Sequence, residues 1–305
     1  NVQGGLMGCS PEAVEVARHS NCPHDRWQDV VAPLLAAPLG APAGEAVLVN
    51  VGANKGFNLV EFAQRYSSSN LSSTRWHQLM MHEASPPCSL QCCGVCIVCR
   101  RPPIAQRAAA ASLRLLAFEL QPSNERLLRQ LAALSGAPIE VHGVAVSNYS
   151  GTVYTRDSGR PGYESVSAQT APSRRAIARR TTRLDDFFLA ARLPRAQLVS
   201  IDTEGWDGLV LLGMERLLRE RRVDVVEFEY MRAWKRVLGE RALQRTLEYM
   251  EGVGYTCFWQ GNRGKLAQAS GECWTEEFHT RVSHRWSNLV CAHRPDVLAA
   301  FRSLQ

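Results

Sequence analysis

The sequence predicts a doubly wound α/β fold built on a mostly parallel sheet of seven strands. Short apolar runs alternate with stretches of helical period from Glu45 onward, the signature of strands joined by crossover helices. The first run, "AVLVNV", breaks into the glycine turn "GANKG" and then straight into a helical pattern. Nothing in the chain repeats, and 45% hydrophobic with 21% charged residues suits a globular core of ordinary composition.

The elements follow in order. After the first strand, Leu59, Phe62, Ala63 and Tyr66 recur at i, i+3, i+4 and i+7, which places them on one helix face. "LRLLAFEL" is the second strand. Its helix, from "PSNERLLRQLAALSG", has Ser123 or Asn124 as the expected N-cap. Leu127, Leu128, Leu131 and Leu134 form its stripe, and Gly136 stops it. "IEVHGVAVS" reads as one third strand, with His142 as a core histidine, and "NYSGTVYT" as a turn and a further strand. "AQLVSID" is the fourth main strand. One helix follows it, with Val210, Met214, Leu217 and Leu218 inward. "VDVVEFEY" is the fifth strand, and its helix carries Leu243, Thr246, Leu247 and Met250. "YTCFW" and "NLVCAH" are expected to complete the sheet as a hairpin.

In domain terms, residues 1–45 form an N-terminal helical extension ending in the connector "APLGAPAG", and 46–305 form the main domain. Two segments interrupt it, a Cys-rich insertion over about 67–112 and a polar excursion over about 155–183. No run of 18 apolar residues exists, so no helical membrane span is expected. The chain opens on Asn1, as expected of a polypeptide that has lost a leader. The net charge of +6 is carried by 32 arginines and only 3 lysines. The local excess in "SRRAIARRTTR" lacks interleaved aromatics and any nucleic-acid-binding motif, so no nucleic-acid partner is expected.

In a doubly wound sheet, ligands sit beyond the carboxyl ends of the strands, where "NVGANKG" lies. Its Gly-x-x-x-Gly spacing, Gly52 to Gly56, is not the G-x-G-x-x-G that brings a pyrophosphate to a helix N-terminus. Gly56 is followed by Phe57, so a P-loop is excluded too. S-adenosylmethionine, which has no phosphate, fits better. A carboxylate at the end of the second strand can accept from both ribose hydroxyls, and Glu119 occupies that place.

The segments "VNVGANKGFN", "AFELQPSNERLL", "GVAVSNYSGTVYT", "TTRLDDFF", "LVSIDTEGWDGLVLLGMERLL" and "VDVVEFEY" together resemble the FkbM-type methyltransferases, which methylate hydroxyls of sugars and other natural products. The resemblance covers roughly Ala46 to Tyr230, with "IDTEGWD" its most diagnostic element. It implies the Rossmann-like class I methyltransferase fold and S-adenosylmethionine as cofactor. Gly52, Ala53, Asn54 and Gly56 should line the cofactor, Glu119 should hold the ribose, and Ser147 and Asn148 should face adenine. Asp202 should lie close to methyl donor and acceptor. Two positions depart from the family. Asn50 stands where an aspartate is usual beside the methionyl amino group, and Leu120 replaces the usual proline after the acid.

With an activated methyl donor, the protein need only align an acceptor and remove its proton. Asp202 is the first candidate for that work and Glu204 the second, with Glu229 behind them. Glu204 reads equally as a helix cap, Asp207 reads better as one, and Asp185 and Asp186 read as structural. The acceptor is expected to be a small molecule or glycan. N-methylation on the same fold, and an inactive scaffold binding partners through its insertions, stay open.

Of the ten cysteines, five lie in "CSLQCCGVCIVC". Cys93, Cys96 and Cys99, with Cys88 or Cys92, have the spacing of a structural zinc site. Cys9 and Cys22 are the available distant pair, and disulfides are the alternative. Cys257, Cys273 and Cys291 read as buried thiols. Sequons occur at Asn70 and Asn148, and the compartment is either cytoplasm or secretory lumen.

Overall fold

A computed structural model describes residues 9–21, 26–36, 45–67, 69–83, 112–157, 171, 174–281 and 286–305. The helices α1 (Ala13–Arg18) and α2 (Arg26–Ala36) precede β1 (Glu45–Val51), α3 (Phe57–Tyr66), α4 (Ser73–Glu83), β2 (Ser112–Phe118), α5 (Pro122–Ser135) and β3 (Ile139–His142). Next come β4 (Ala145–Val146), β5 (Gly151–Thr155), β6 (Ile177–Thr182), α6 (Leu184–Ala190), β7 (Ala196–Ile201), α7 (Asp207–Leu212), α8 (Glu215–Arg219) and β8 (Val223–Met231). The chain ends with α9 (Ala233–Leu238), α10 (Ala242–Gly252), β9 (Thr256–Gln260), β10 (Leu266–Gln268), α11 (Glu277–Arg281), β11 (Trp286–Ala292) and α12 (Pro295–Arg302).

The main sheet has the order β10-β9-β11-β8-β7-β1-β2-β3. Strands β3, β2, β1, β7 and β8 are mutually parallel, and β11 enters antiparallel between β8 and β9. The doubly wound architecture is as expected, with eight strands in place of seven. The extra edge strand, β10, folds back on β9, so β9 and β11 are neighbours but not a tight hairpin. Strand order runs outward from β1 in one direction and from β7 in the other. The switch point, where a ligand crevice forms, therefore lies between β1 and β7.

Both faces of the sheet are covered. Val49, Val51, Val199 and Phe228 pack under α6, α8 and α10, while Leu48, Leu115, Leu198 and Val225 pack under α2, α3, α5 and α12. The stripe of α3 is fully buried, each large side chain contributing about 1.5–3 kcal/mol. α4 runs through the start of the segment read as an insertion, and its Trp76 and Met80 are buried in the same core.

Several local readings need correction. Gln121, not Ser123 or Asn124, is the N-cap of α5, because Pro122 takes the first helical position. Leu134 is exposed at the helix end beside Gly136, although it has the spacing of the stripe. The third strand is divided at Gly143. β3 stays in the main sheet and β4 joins a second sheet, β4-β6-β5, whose β6 lies inside the polar excursion. The helix after β7 is broken at Gly213, where a Cβ would lie 2.0 Å from the Ser147 carbonyl oxygen. Asp185 then accepts from the Arg216 and Leu217 amides and caps the second piece, the structural role expected of it.

The C-terminal cysteines are not thiols. Cys257 and Cys291 are register partners on β9 and β11 and form one disulfide, and Cys9 forms another with Cys273. This removes Cys9 from any zinc set. The cluster Cys88 to Cys99, and Cys22, lie outside the described residues. No group of metal-ligating side chains occurs among the described residues.

Candidate functional site

The loops after β1 and β7 meet at the switch point. The Asp202 amide donates to the Val51 carbonyl at 2.9 Å, and a Cβ on Gly52 would fall 1.7 Å from the Asp202 carbonyl oxygen. Only glycine fits there, and its φ of +81° would be strained for any other residue. Backbone strain gathers in these two loops. Asn54 has φ +45° and Glu204 φ +56°, left-handed values rare outside glycine, and Gly56 and Gly205 are at +81° and +99°. Gly56 also lies against Leu128 and Trp76, whose indole N–H donates to the Lys55 carbonyl at 2.7 Å.

Glu119, directly beyond β2, faces this loop. One carboxylate oxygen accepts from the Asn54 amide and the other from the Gln121 amide, both at 2.7 Å. Asn124 adds a side-chain donor to Glu119, and its amide also reaches the Asn54 side-chain oxygen at 3.2 Å. Burial pushes the Glu119 carboxyl up to about 6, against the pull of these donors and of Arg179. Gly52, Asn54, Gly56 and Glu119 are therefore brought together, with Ala53 buried behind them and its amide on the Phe118 carbonyl. Leu120 follows Glu119, half-buried.

Asn50 lies in a polar row of the sheet, and its buried side-chain nitrogen has no hydrogen-bond partner among the described residues. The residue is 1% exposed, and its register partner is Ser200, whose own partner is Glu227. The Ser200 hydroxyl donates to Glu227, which also accepts from Gln260, and Gln260 in turn accepts from the Trp27 indole. An aspartate at position 50 would put a second buried carboxylate in this row, so Asn50→Asp should lose about 2–3 kcal/mol at neutral pH. Its native pKa would be raised, so the lost stability is recovered below about pH 4 and the deficit grows as pH rises. Urea melts at pH 4 and pH 8 check this; equal deficits at both would refute it.

Ser147 and Asn148 are not at the end of the main-sheet strand β3. They follow β4, and their hydrogen bonds run to Thr182, to Arg183 and to each other. The end of β3 proper is His142, which stacks on Phe118 with ring centroids 5.1 Å apart and meets Phe187 edge-on at 4.8 Å. Burial lowers its pKa, as for the core histidine expected. In the basic segment, Arg179 pairs with Glu125 and donates to the Gly143 carbonyl, so this arginine pins the division of the third strand.

Asp202 is exposed and Glu204 half-buried beyond β7. Sequence reasoning missed the part played by Asp207. It is no helix cap: its carboxyl group is wholly buried and accepts from the Thr203 hydroxyl at 2.8 Å and amide at 3.4 Å, and from the Glu229 amide at 3.2 Å. One side chain thus ties the loop bearing Asp202 and Glu204 to the end of β8. Burial, with the Asp202 charge added, pushes its pKa up. Asp207→Asn keeps shape but turns an NH2 toward a donor, leaving one backbone N–H unpaired. Turnover should fall about tenfold or more, with cofactor affinity within about twofold. Equal loss of both would assign Asp207 to cofactor binding instead.

A glycine loop and a buried carboxylate at the switch point of a doubly wound sheet, with no phosphate-binding motif, define a class of nucleoside-binding α/β protein. Residues 93–257, more than half of the chain, match the methyltransferase FkbM domain, and the chain belongs to that family. No curated protein matches it. Among solved structures it is similar to the FkbM methyltransferase of Methylobacillus flagellatus KT, at 12% identity and TM-score 0.44, covering 92% of this chain and 58% of that one. The chain thus spans under two thirds of that relative's length. It is also similar to cofactor-bound Rv0187 from MTB, at 15% identity, TM-score 0.39 and coverage of 95% and 93%. A third likeness is to Aeropyrum pernix fibrillarin with natively bound S-adenosyl-L-methionine, at 11% identity, TM-score 0.32 and coverage of 87% and 76%.

Proposed function

We propose that the chain is an S-adenosylmethionine-dependent O-methyltransferase acting on a hydroxyl of a carbohydrate or related metabolite. The observation that carries this reading is the 2.7 Å bond from the Asn54 amide to Glu119, which holds the glycine loop and the carboxylate together. The residues fit a nucleoside. A carboxylate has about four acceptor positions, Glu119 uses three, and a buried acid with a raised pKa gains from further donors. Gly52 and Gly56 let the loop pack against the Asp202 backbone, Leu128 and Trp76, which fixes its position beside Glu119.

The bound cofactor would supply an activated methyl group. Glu119 would hold the ribose diol, and the strained glycine loop would border the methionyl portion. Asp202, at the mouth of the crevice, would orient the acceptor hydroxyl and take its proton, with Glu204 beside it. Asp207 would keep both in place from below. An O–H acceptor needs such a base more than an amine does, because its proton must leave as the new bond forms.

Isothermal titration with S-adenosylmethionine, and competition by S-adenosylhomocysteine, tests the cofactor. Saturable heat is expected, and no heat with no competition would favour a scaffold. Labelled-donor assays on panels of glycans, small hydroxylated metabolites and amines then test the acceptor. Label appearing only on amines would replace O- with N-methylation.

A further inference from the structure

We propose that the chain folds in an oxidising secretory lumen and carries one N-linked glycan, on Asn70. The first support is the cysteine chemistry. Every cysteine among the described residues is paired, and the two bonds do different structural work. Cys257–Cys291 ties neighbouring strands inside the sheet, with both residues fully buried. Cys9–Cys273 closes a span of 264 residues and fastens the segment before α1 to the turn Gly271–Cys273. Such bonds persist where the surroundings oxidise thiols, and glutathione and thioredoxin keep them open in a cytosol.

The second support is the geometry of the sequon Asn70-Leu71-Ser72. It lies in the connection from α3 to α4. Leu71 is buried in the core, while Asn70 is exposed and makes no hydrogen bond among the described residues. Ser72 accepts from the Arg75 amide at 3.1 Å and caps α4, which leaves its hydroxyl proton available. The other sequon is also exposed at Asn148 and Ser150, but folding engages it in hydrogen bonds. Ser150 bonds to Asp186 and to the Arg183 amide, and the Asn148 carbonyl accepts from Arg183. Once β5 and β6 pair, the Asn148 sequon is locked in a turn while Asn70 stays on the open flank.

The modification needs a lipid-linked oligosaccharide diphosphate as donor. A bond forms between the Asn70 side-chain nitrogen and the anomeric carbon of the first sugar, and the bond from that carbon to the diphosphate oxygen breaks. The diphosphate leaves with the electron pair, and the amide loses one proton.

The test uses the chain isolated, without reduction, from cells that naturally make it. Peptide mass mapping should find a glycan on the Asn70 peptide, unmodified Asn148, and the pairs Cys9–Cys273 and Cys257–Cys291. Peptide N-glycosidase should increase gel mobility by one glycan and leave aspartate at position 70. Asn70→Gln should abolish that change and leave methyl transfer unaltered, which separates this result from any failure of the methylation reading. An unmodified Asn70, a glycan on Asn148 instead, or alkylatable thiols at Cys257 and Cys291 would each overturn the proposal.

Discussion

Gly52→Ala should be the most damaging single substitution in the site. The methyl group would be placed 1.7 Å from the Asp202 carbonyl oxygen, inside van der Waals contact, at a φ of +81°. Neither loop can yield easily. The Gly52 and Ala53 amides both donate to the Phe118 carbonyl, and the Asp202 amide is held by Val51. A left-handed alanine alone costs about 1–2 kcal/mol, and the clash adds to it, for a total above about 4 kcal/mol. Cofactor binding should be lost and thermal unfolding should occur at a markedly lower temperature. Gly136→Ala is the matched control. It has φ +64° with nothing within 4 Å of a new Cβ, so it should show only the conformational part, about 1–2 kcal/mol. If both variants melt alike, the close approach of the two loops is not what position 52 requires.

Glu119→Ala should have the largest effect on cofactor affinity. It removes the carboxylate proposed to hold the ribose and also orphans the Asn54 and Gln121 amides, at about 1–3 kcal/mol each. A loss of affinity of about 100-fold is expected from the two charge-assisted bonds to the diol. Glu119→Gln separates the two contributions, since its amide oxygen still serves one N–H. It should restore stability more than affinity.

The wild-type chain should show a matching pH dependence. Glu119 titrates near 6, and the diol favours its charged form, so affinity for S-adenosylmethionine should fall as pH drops through about 6. Stability has the opposite sign. The folded pKa is raised above the unfolded one, so the contribution of Glu119 is fully present below about pH 4.5 and is lost as pH rises through 6. Titration calorimetry at pH 5 and pH 8 measures the first. An affinity independent of pH, or a Glu119→Ala variant that binds like wild type, would remove this residue from the ribose site.

Much of this site is written locally. The glycine loop shows itself because an apolar run, two glycines and a helical stripe follow within about twenty residues, the range over which period and turn chemistry act. Glu119 is legible for the same reason, as the acid that ends the next apolar run. The roles of Asn50 and Asp207 are not. Asn50 reads locally as a cofactor ligand with its charge removed, and only the sheet shows that its register partner is Ser200, far along the chain and itself opposite Glu227. Asp207 carries the sequence marks of a helix cap, and only the Glu229 amide from β8 shows that it is a brace.

Chain periodicity alone determined the doubly wound class, the order of the main elements, and which face of α10 is buried. These follow from side-chain alternation within one strand or helix. By contrast, α3 is buried on all sides, its Glu61, Gln64 and Arg65 included. Tertiary structure decided what depends on distant partners. Gly143 divides a strand because Arg179 and the β4–β6 pairing claim the chain on either side. Gly213 breaks a helix because the Ser147 carbonyl occupies its flank. Cys257 and Cys291 become a disulfide because antiparallel register sets them opposite one another. A contact between residues far apart in the chain leaves no period in the sequence, so it can be read only once both partners are in place.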